Sequence, residues 1–254
     1  MTNPTQRDAA AGIVRLTLTQ GGCMEHKVGD RTADDIFGVT PLARLATAAC
    51  RGDDQAIAAA LRDGADVNGQ GHDGVTPLLW ALSCDNVRGI EALLKAGANP
   101  NQRVGGGTAV YLAATRHDPH VLRVLLQHGG DANAFDANTG MTALQEAFSL
   151  GLHGLGWDNY DAFLAKADIN RADEQGWTIA TEAAAMGRFD KVVELIERGY
   201  AHDLASLGRL VQRRVVTSDD DKAWQAKAKA LLEAHGLRFP LPDTSAATNL
   251  CSGI

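Results

Sequence analysis

Leu61-Arg62-Asp63-Gly64-Ala65-Asp66-Val67-Asn68, Leu94-Lys95-Ala96-Gly97-Ala98-Asn99-Pro100-Asn101 and Leu126-Gln127-His128-Gly129-Gly130-Asp131-Ala132-Asn133 are one phrase written three times. The closing asparagines stand 33 and 32 residues apart. A fourth copy, Leu164 to Asn170, has lost its glycine, a fifth runs Ile196-Glu197-Arg198-Gly199, and a weaker sixth ends at Gly236. Each asparagine leads through a short polar, glycine-containing stretch into a second phrase, which opens at Thr76-Pro77-Leu78, Thr108-Ala109-Val110, Thr142-Ala143-Leu144 and Thr178-Ile179-Ala180. Two linked phrases recurring with a period near 33 residues describe a chain of stacked units, each too small to bury an apolar face alone.

Within a unit, threonine reads as the N-cap of a first helix, with proline tolerated just after it, and glycine closes a second helix in a left-handed turn. Ala81, Ala113-Ala114, Ala147 and Ala183-Ala184 are small where a neighbouring helix must approach, whereas Leu93-Leu94 and Leu125-Leu126 are bulky where the second helix meets the next unit. Two irregularities stand out. Thr40 precedes Gly52 by 12 residues where later copies have 9, so either the first helix carries an extra turn or the repeat begins at Arg44. In the fourth copy four residues are inserted within Leu152 to Trp157.

The phrases G-x-T-P-L, A-A and L-L-x-x-G-A-D-V-N resemble the ankyrin repeat. The resemblance covers Gly38 to about Asp203, with a divergent helix pair to Gly236. It implies an all-α solenoid of five to six helix-turn-helix units with short β-turn fingers, a concave face of fingers and first helices, and a C-terminal cap. The histidine that usually follows T-P-L is replaced by Leu79, Tyr111, Gln145 and Thr181. The chain divides accordingly into an N-terminal extension (1–37), a repeat domain with its capping helices (38–236) and a loose tail (237–254). In the cap, Leu204 to Val216 and a second helix after Thr217 to Asp221 are expected, the latter packing through Trp224, Ala228 and Leu231.

Composition agrees with this class. The chain has 254 residues, 45 % hydrophobic and only 5 % aromatic, and its formal charge is −7. An acidic balance speaks against nucleic acid as partner, since phosphate contacts require basic side chains. Residues 204–238 are the exception, with seven Lys and Arg against four acids. No stretch approaches the ~20 apolar residues of a membrane span. The cysteines Cys23, Cys50, Cys84 and Cys251 form no CxxC and are read as free thiols, Cys50 and Cys84 being small packing residues. The segment before Cys23 has the outline of a lipoprotein signal, but Asp8 and Arg15 break its apolar core. Cytoplasmic residence is therefore expected, with the envelope or periplasm as the alternative and membrane attachment only if Cys23 is lipidated.

No catalytic constellation emerges. Val104-Gly105-Gly106-Gly107-Thr108 lacks the lysine of a phosphate loop and reads as a finger turn. His117-Asp118-Pro119-His120 offers two imidazoles without a third ligand and reads as a helix start, with Asp118 as N-cap. The expectation is a non-enzymatic module with no cofactor and no metal, binding another protein. Because interface hot spots favour Trp, Tyr and Arg, the candidate contact residues are Trp80, Arg103, Tyr111, Arg116, Phe135, Trp157 and Trp177, with Glu182 beside them. Finally, Met24-Glu25-His26-Lys27-Val28-Gly29-Asp30, followed by Ala48 to Asp53 and Asp73 to Leu82, is similar to a group of bacterial ankyrin proteins, many of them envelope lipoproteins. Some of that group serve as immunity proteins against type VI secreted lipase effectors, which implies a secreted lipase-type toxin as partner here. A general adaptor, or an accessory subunit of an enzyme, is the alternative.

Overall fold

The computed structural model describes residues 31–116 and 118–242. Among these residues there are thirteen α-helices, a 3-10 turn at His72–Gly74 and three isolated antiparallel bridges. After α1 (Ala33–Phe37) the helices fall into six pairs. These are α2 (Pro41–Arg51) with α3 (Asp54–Arg62), α4 (Pro77–Ser83) with α5 (Val87–Lys95), and α6 (Ala109–Ala114) with α7 (Pro119–Gln127). They are followed by α8 (Ala143–Leu152) with α9 (Asp158–Leu164), α10 (Ile179–Ala185) with α11 (Phe189–Glu197), and α12 (Leu204–Arg213) with α13 (Asp219–Ala234). The first helices contact one another in succession from α2 to α12, and second helices do likewise, α3 on α5, α5 on α7, α7 on α9 and α11 on α13. The two layers are the solenoid expected from the repeats.

Most of these helices have six to eleven residues, too few to persist alone in water, so stacking is what holds them. Their ends are set locally. Thr40, Thr76, Thr108, Thr142 and Thr178 each accept a hydrogen bond from the third backbone N–H of the helix that follows. Thr40 caps an eleven-residue α2, which decides between the two sequence alternatives in favour of the extra turn. Asp118 caps α7 with Pro119 at its first position, as its sequence indicates.

The repeated asparagine has a mechanical role. Asn68 Oδ1 accepts from the Asn99 N–H (2.7 Å) while its Nδ2 donates to the Gly97 carbonyl (3.0 Å). Asn101 repeats both bonds with Asp131 N–H and the Gly129 carbonyl. Asn133 accepts from Asp168 N–H, and Asn170 from the N–H groups of Ala201 and His202. Each finger is thereby tied to the helix end of the next unit, and at Asn68 and Asn101 the bond also serves a carbonyl that would otherwise lack a partner. Gly97 closes α5 at φ 96°, a conformation costly to any residue with a Cβ. The fourth copy, with Ala167 in that phrase, stops α9 differently, Lys166 and Ala167 both donating to the Phe163 carbonyl.

The ends of the stack carry extra parts. α1 lies within residues assigned from sequence to the extension. Ala33, Ile36 and Phe37 bury against Ala43, Ala46 and Trp80 to form a second small core. At the other end α13 buries Ala228 and Leu232, leaving Trp224 39 % exposed, so the packed stripe runs one step round from the expected one. Residues 237–242 lie over α12, where Gln212 brackets Leu241 with two hydrogen bonds (2.7 and 3.2 Å). A Cβ on Gly208 would come within 2.7 Å of Leu237 and Leu241, so this closure depends on the glycine.

One sequence expectation is overturned. Cys50 and Cys84 are joined as a disulfide, with Cα atoms 5.3 Å apart and a sequence separation of 34. They occupy corresponding ends of α2 and α4, and stacking by one repeat sets such positions side by side. Short CxxC spacing is not needed for such a bond in a repeat protein, because cysteines one repeat apart in sequence become neighbours in space. Cys23, Cys251 and the signal-like segment lie outside the described residues.

Candidate interaction face

The capping threonines set a common register for the first helices. Four residues beyond them stand Trp80, Leu112, Glu146 and Glu182, which therefore project on the same side of successive units. The first of the four is closed off. Trp80 is 1 % exposed and meets Phe37 edge-on, ring centroids 6.0 Å apart, beneath α1. This corrects its assignment as a contact residue: its bulk is consumed by the N-terminal cap. Leu112, by contrast, is 42 % exposed, and Met186, one helical turn beyond Glu182, is 54 % exposed. Trp177, just before the capping Thr178, is 42 % exposed, with its N–H held by Asp173 Oδ1 at 2.7 Å.

Between these apolar side chains lies a set of half-buried carboxyls. The Tyr111 hydroxyl donates to Glu146 Oε2 at 3.4 Å, and Gln145 Nε2 donates to Asp173 Oδ2 at 3.0 Å. Burial raises the Glu146 carboxyl above its ordinary range, partly opposed by the Tyr111 hydroxyl. Glu182 is pushed up to about 7, chiefly by burial, with the Gln145 amide opposing and the charges of Asp173 and Glu146 adding to the rise. Its Oε2 is shut off from solvent and meets no hydrogen-bond partner among the described residues. The Gln145 amide serves the carboxyl on one side only, and an oxygen that has lost water without gaining a donor is poised to accept one from outside.

The other candidates separate clearly. Arg103 lies over the Phe135 ring at 4.1 Å, and Arg171 approaches the same ring at 5.4 Å, so three fingers are joined by one cation–π stack. Tyr111 is 9 % exposed, more a wall of the face than a free contact, which corrects its assignment. Arg116 pairs with Asp85 and has its own carbonyl taken by Asn159 Nδ2 at 2.6 Å. Trp157 also needs correction. It does not join the fingers but packs against Phe148 and Tyr160, with the cations of Arg188 and Lys191 4.6 and 4.7 Å from its ring. A Cβ on Gly151 would fall 2.4 Å from that ring, so the inserted residues are anchored by a tryptophan filling a glycine notch.

The residues missed from sequence are Gln145, Glu146, Arg171 and Asp173. A signal for two of them existed, since Glu146 and Glu182 occupy equivalent steps of the repeat and Gln145 precedes one of them. A search for aromatics and arginines passes over acids in register.

Comparison with known proteins agrees with this architecture. The ankyrin-repeat family model matches residues 73–104. Protein PhlB of Serratia liquefaciens is 38 % identical over 188 residues, an alignment spanning 72 % of this chain and 80 % of PhlB. The RelA-associated inhibitor of Mus musculus is 29 % identical over 122 residues, which is 48 % of this chain and 15 % of that protein.

Proposed function

We propose, on the premise that this chain belongs to the ankyrin-repeat proteins and is a protein-interaction module, that its face of first helices and fingers binds a protein segment carrying a lysine or arginine among apolar residues. The observation that carries this reading is the Glu182 Oε2, shielded and without a donor, in the same register as exposed Leu112 and on the helix flanked by exposed Trp177 and Met186. An incoming cation supplies the missing donor, and the apolar side chains supply contact area. Arg103 and Phe135 form the neighbouring rim.

The partner we favour is a secreted toxic enzyme of the lipase class, neutralised by burial of part of its surface, so that the protein serves as a bacterial immunity factor without catalysis of its own. The resemblance of Met24 to Asp30 and its flanks to bacterial immunity proteins supports this choice. A relative named as an inhibitor is compatible with it.

The test is co-expression with lipase-type toxins from the native bacterium, followed by titration calorimetry against whichever toxin is neutralised. Glu182→Lys and the pair Trp177→Ala with Met186→Ala should each weaken binding at least tenfold, while Lys95→Ala and Glu197→Ala should leave it unchanged. Equal losses from all of these variants, or losses traceable to unfolding in parallel melts, refute the assignment of the face. Retained binding without protection refutes the immunity role alone.

A further inference from the structure

Cys50 and Cys84 sit where the first two repeats meet, beside the N-terminal helix. Their side chains are half-buried and pack against the small core of Ala33, Ile36, Phe37, Ala43, Ala46 and Trp80. Cys84 Sγ lies 3.2 Å from the Trp80 carbonyl, and Cys50 Sγ lies 3.9 Å from the same atom. The backbone on either side is fixed as well, Asn86 Nδ2 donating to the Cys50 carbonyl at 3.0 Å. The Cα separation of 5.3 Å is in the range that a disulfide spans without moving the backbone. Among the described residues the helix α1, five residues long, covers Trp80 through Phe37. A helix of that length has little stability of its own, so its seat must be rigid for it to stay.

We infer that the Cys50–Cys84 bond is a staple made by oxidation after the first two repeats have stacked, that it secures the seat of α1, and that the protein works in an oxidising compartment outside the reducing cytosol, where such bonds persist. The chemistry balances against a small disulfide such as oxidised glutathione. One cysteine thiolate attacks it and expels a thiolate, the second cysteine attacks the mixed disulfide and expels the other, and the two cysteine protons end on the two released thiols. The bond closes a 34-residue separation and so removes conformational freedom from the unfolded chain in addition to clamping α2 to α4.

The experiment uses the full chain expressed separately in the cytosol and the periplasm of a bacterial host, with thiols trapped at lysis and tryptic peptides mapped by mass. A Cys50–Cys84 linked peptide pair is expected from the periplasm, and both peptides alkylated from the cytosol. In glutathione buffers the purified oxidised chain should melt roughly 8–15 °C above the reduced one. Amide exchange across residues 33–37 should accelerate on reduction. The double variant Cys50→Ser with Cys84→Ser should melt like the reduced chain whatever the buffer. Free thiols at both positions in folded periplasmic protein overturn the inference. So does a melting temperature indifferent to reductant, or a reductant effect that persists in the double variant.

Discussion

Replacing Glu182 by glutamine tests the electrostatics of the interaction face without a partner in hand. The carboxyl is held at about 7 in the folded protein against an ordinary value near 4.5. Below about pH 4.5 it is protonated in both folded and unfolded chains and has no effect on their balance. As pH rises toward 7 the unfolded chain ionises it first, so the folded state loses stability progressively, and the loss levels off above the folded value. A displacement of about 2.5 pH units corresponds to an upper bound of about 3.5 kcal/mol, at about 1.4 kcal/mol per unit. Partial exposure of the residue reduces the expected effect to about 2 kcal/mol. Glu182→Gln keeps the shape and the acceptor while removing the charge. It should therefore be more stable than the parent by about 2 kcal/mol at pH 8, or roughly 4–8 °C in melting temperature, and indistinguishable from it at pH 4.5. The assay is urea and thermal unfolding of both proteins across this range. Parallel stability curves, with no divergence between pH 4.5 and 8, would refute the burial argument and remove the main support for a cation-accepting face.

The packing makes further commitments. A Cβ on Gly89 would lie 1.8 Å from the Ala49 carbonyl, so Gly89→Ala must force α5 off α2 and should cost about 3 kcal/mol or more in urea unfolding. The Tyr200 hydroxyl meets Thr178 Oγ1 at 2.8 Å with both residues fully buried, and Tyr200→Phe should cost about 1 kcal/mol with no other change in the melt. Trp157→Ala, which empties the Gly151 notch, should cost about 3 kcal/mol, whereas Trp177→Ala should shift stability by less than about 0.5 kcal/mol. If the two tryptophans behave alike in thermal melts, the division between a packed insertion and an exposed face is mistaken.

Much of this molecule was determined by its sequence alone, because ankyrin units are local. Thr76 caps its own helix, Asn68 reaches only to the next unit, and a glycine such as Gly97 after a second helix answers to the conformation of one residue. Such features repeat with the period and are legible wherever the period is. The fate of each large side chain is another matter. Trp80, Leu112, Glu146 and Glu182 share one register position, yet the first is sealed and the second is open. That difference depends on α1, which folds over only one end of the stack. Trp157 and Trp177 looked alike as candidates, and only the placement of Gly151 beneath one of them makes it structural. The pairing of Cys50 with Cys84 and the burial of the unpartnered Glu182 Oε2 likewise arise when one repeat is laid against the next. The sequence wrote the unit and its periodic joints. Solvent access and partnership at each position were decided by stacking, because they depend on the neighbouring units and on which ends are capped, and these are properties of the assembled array.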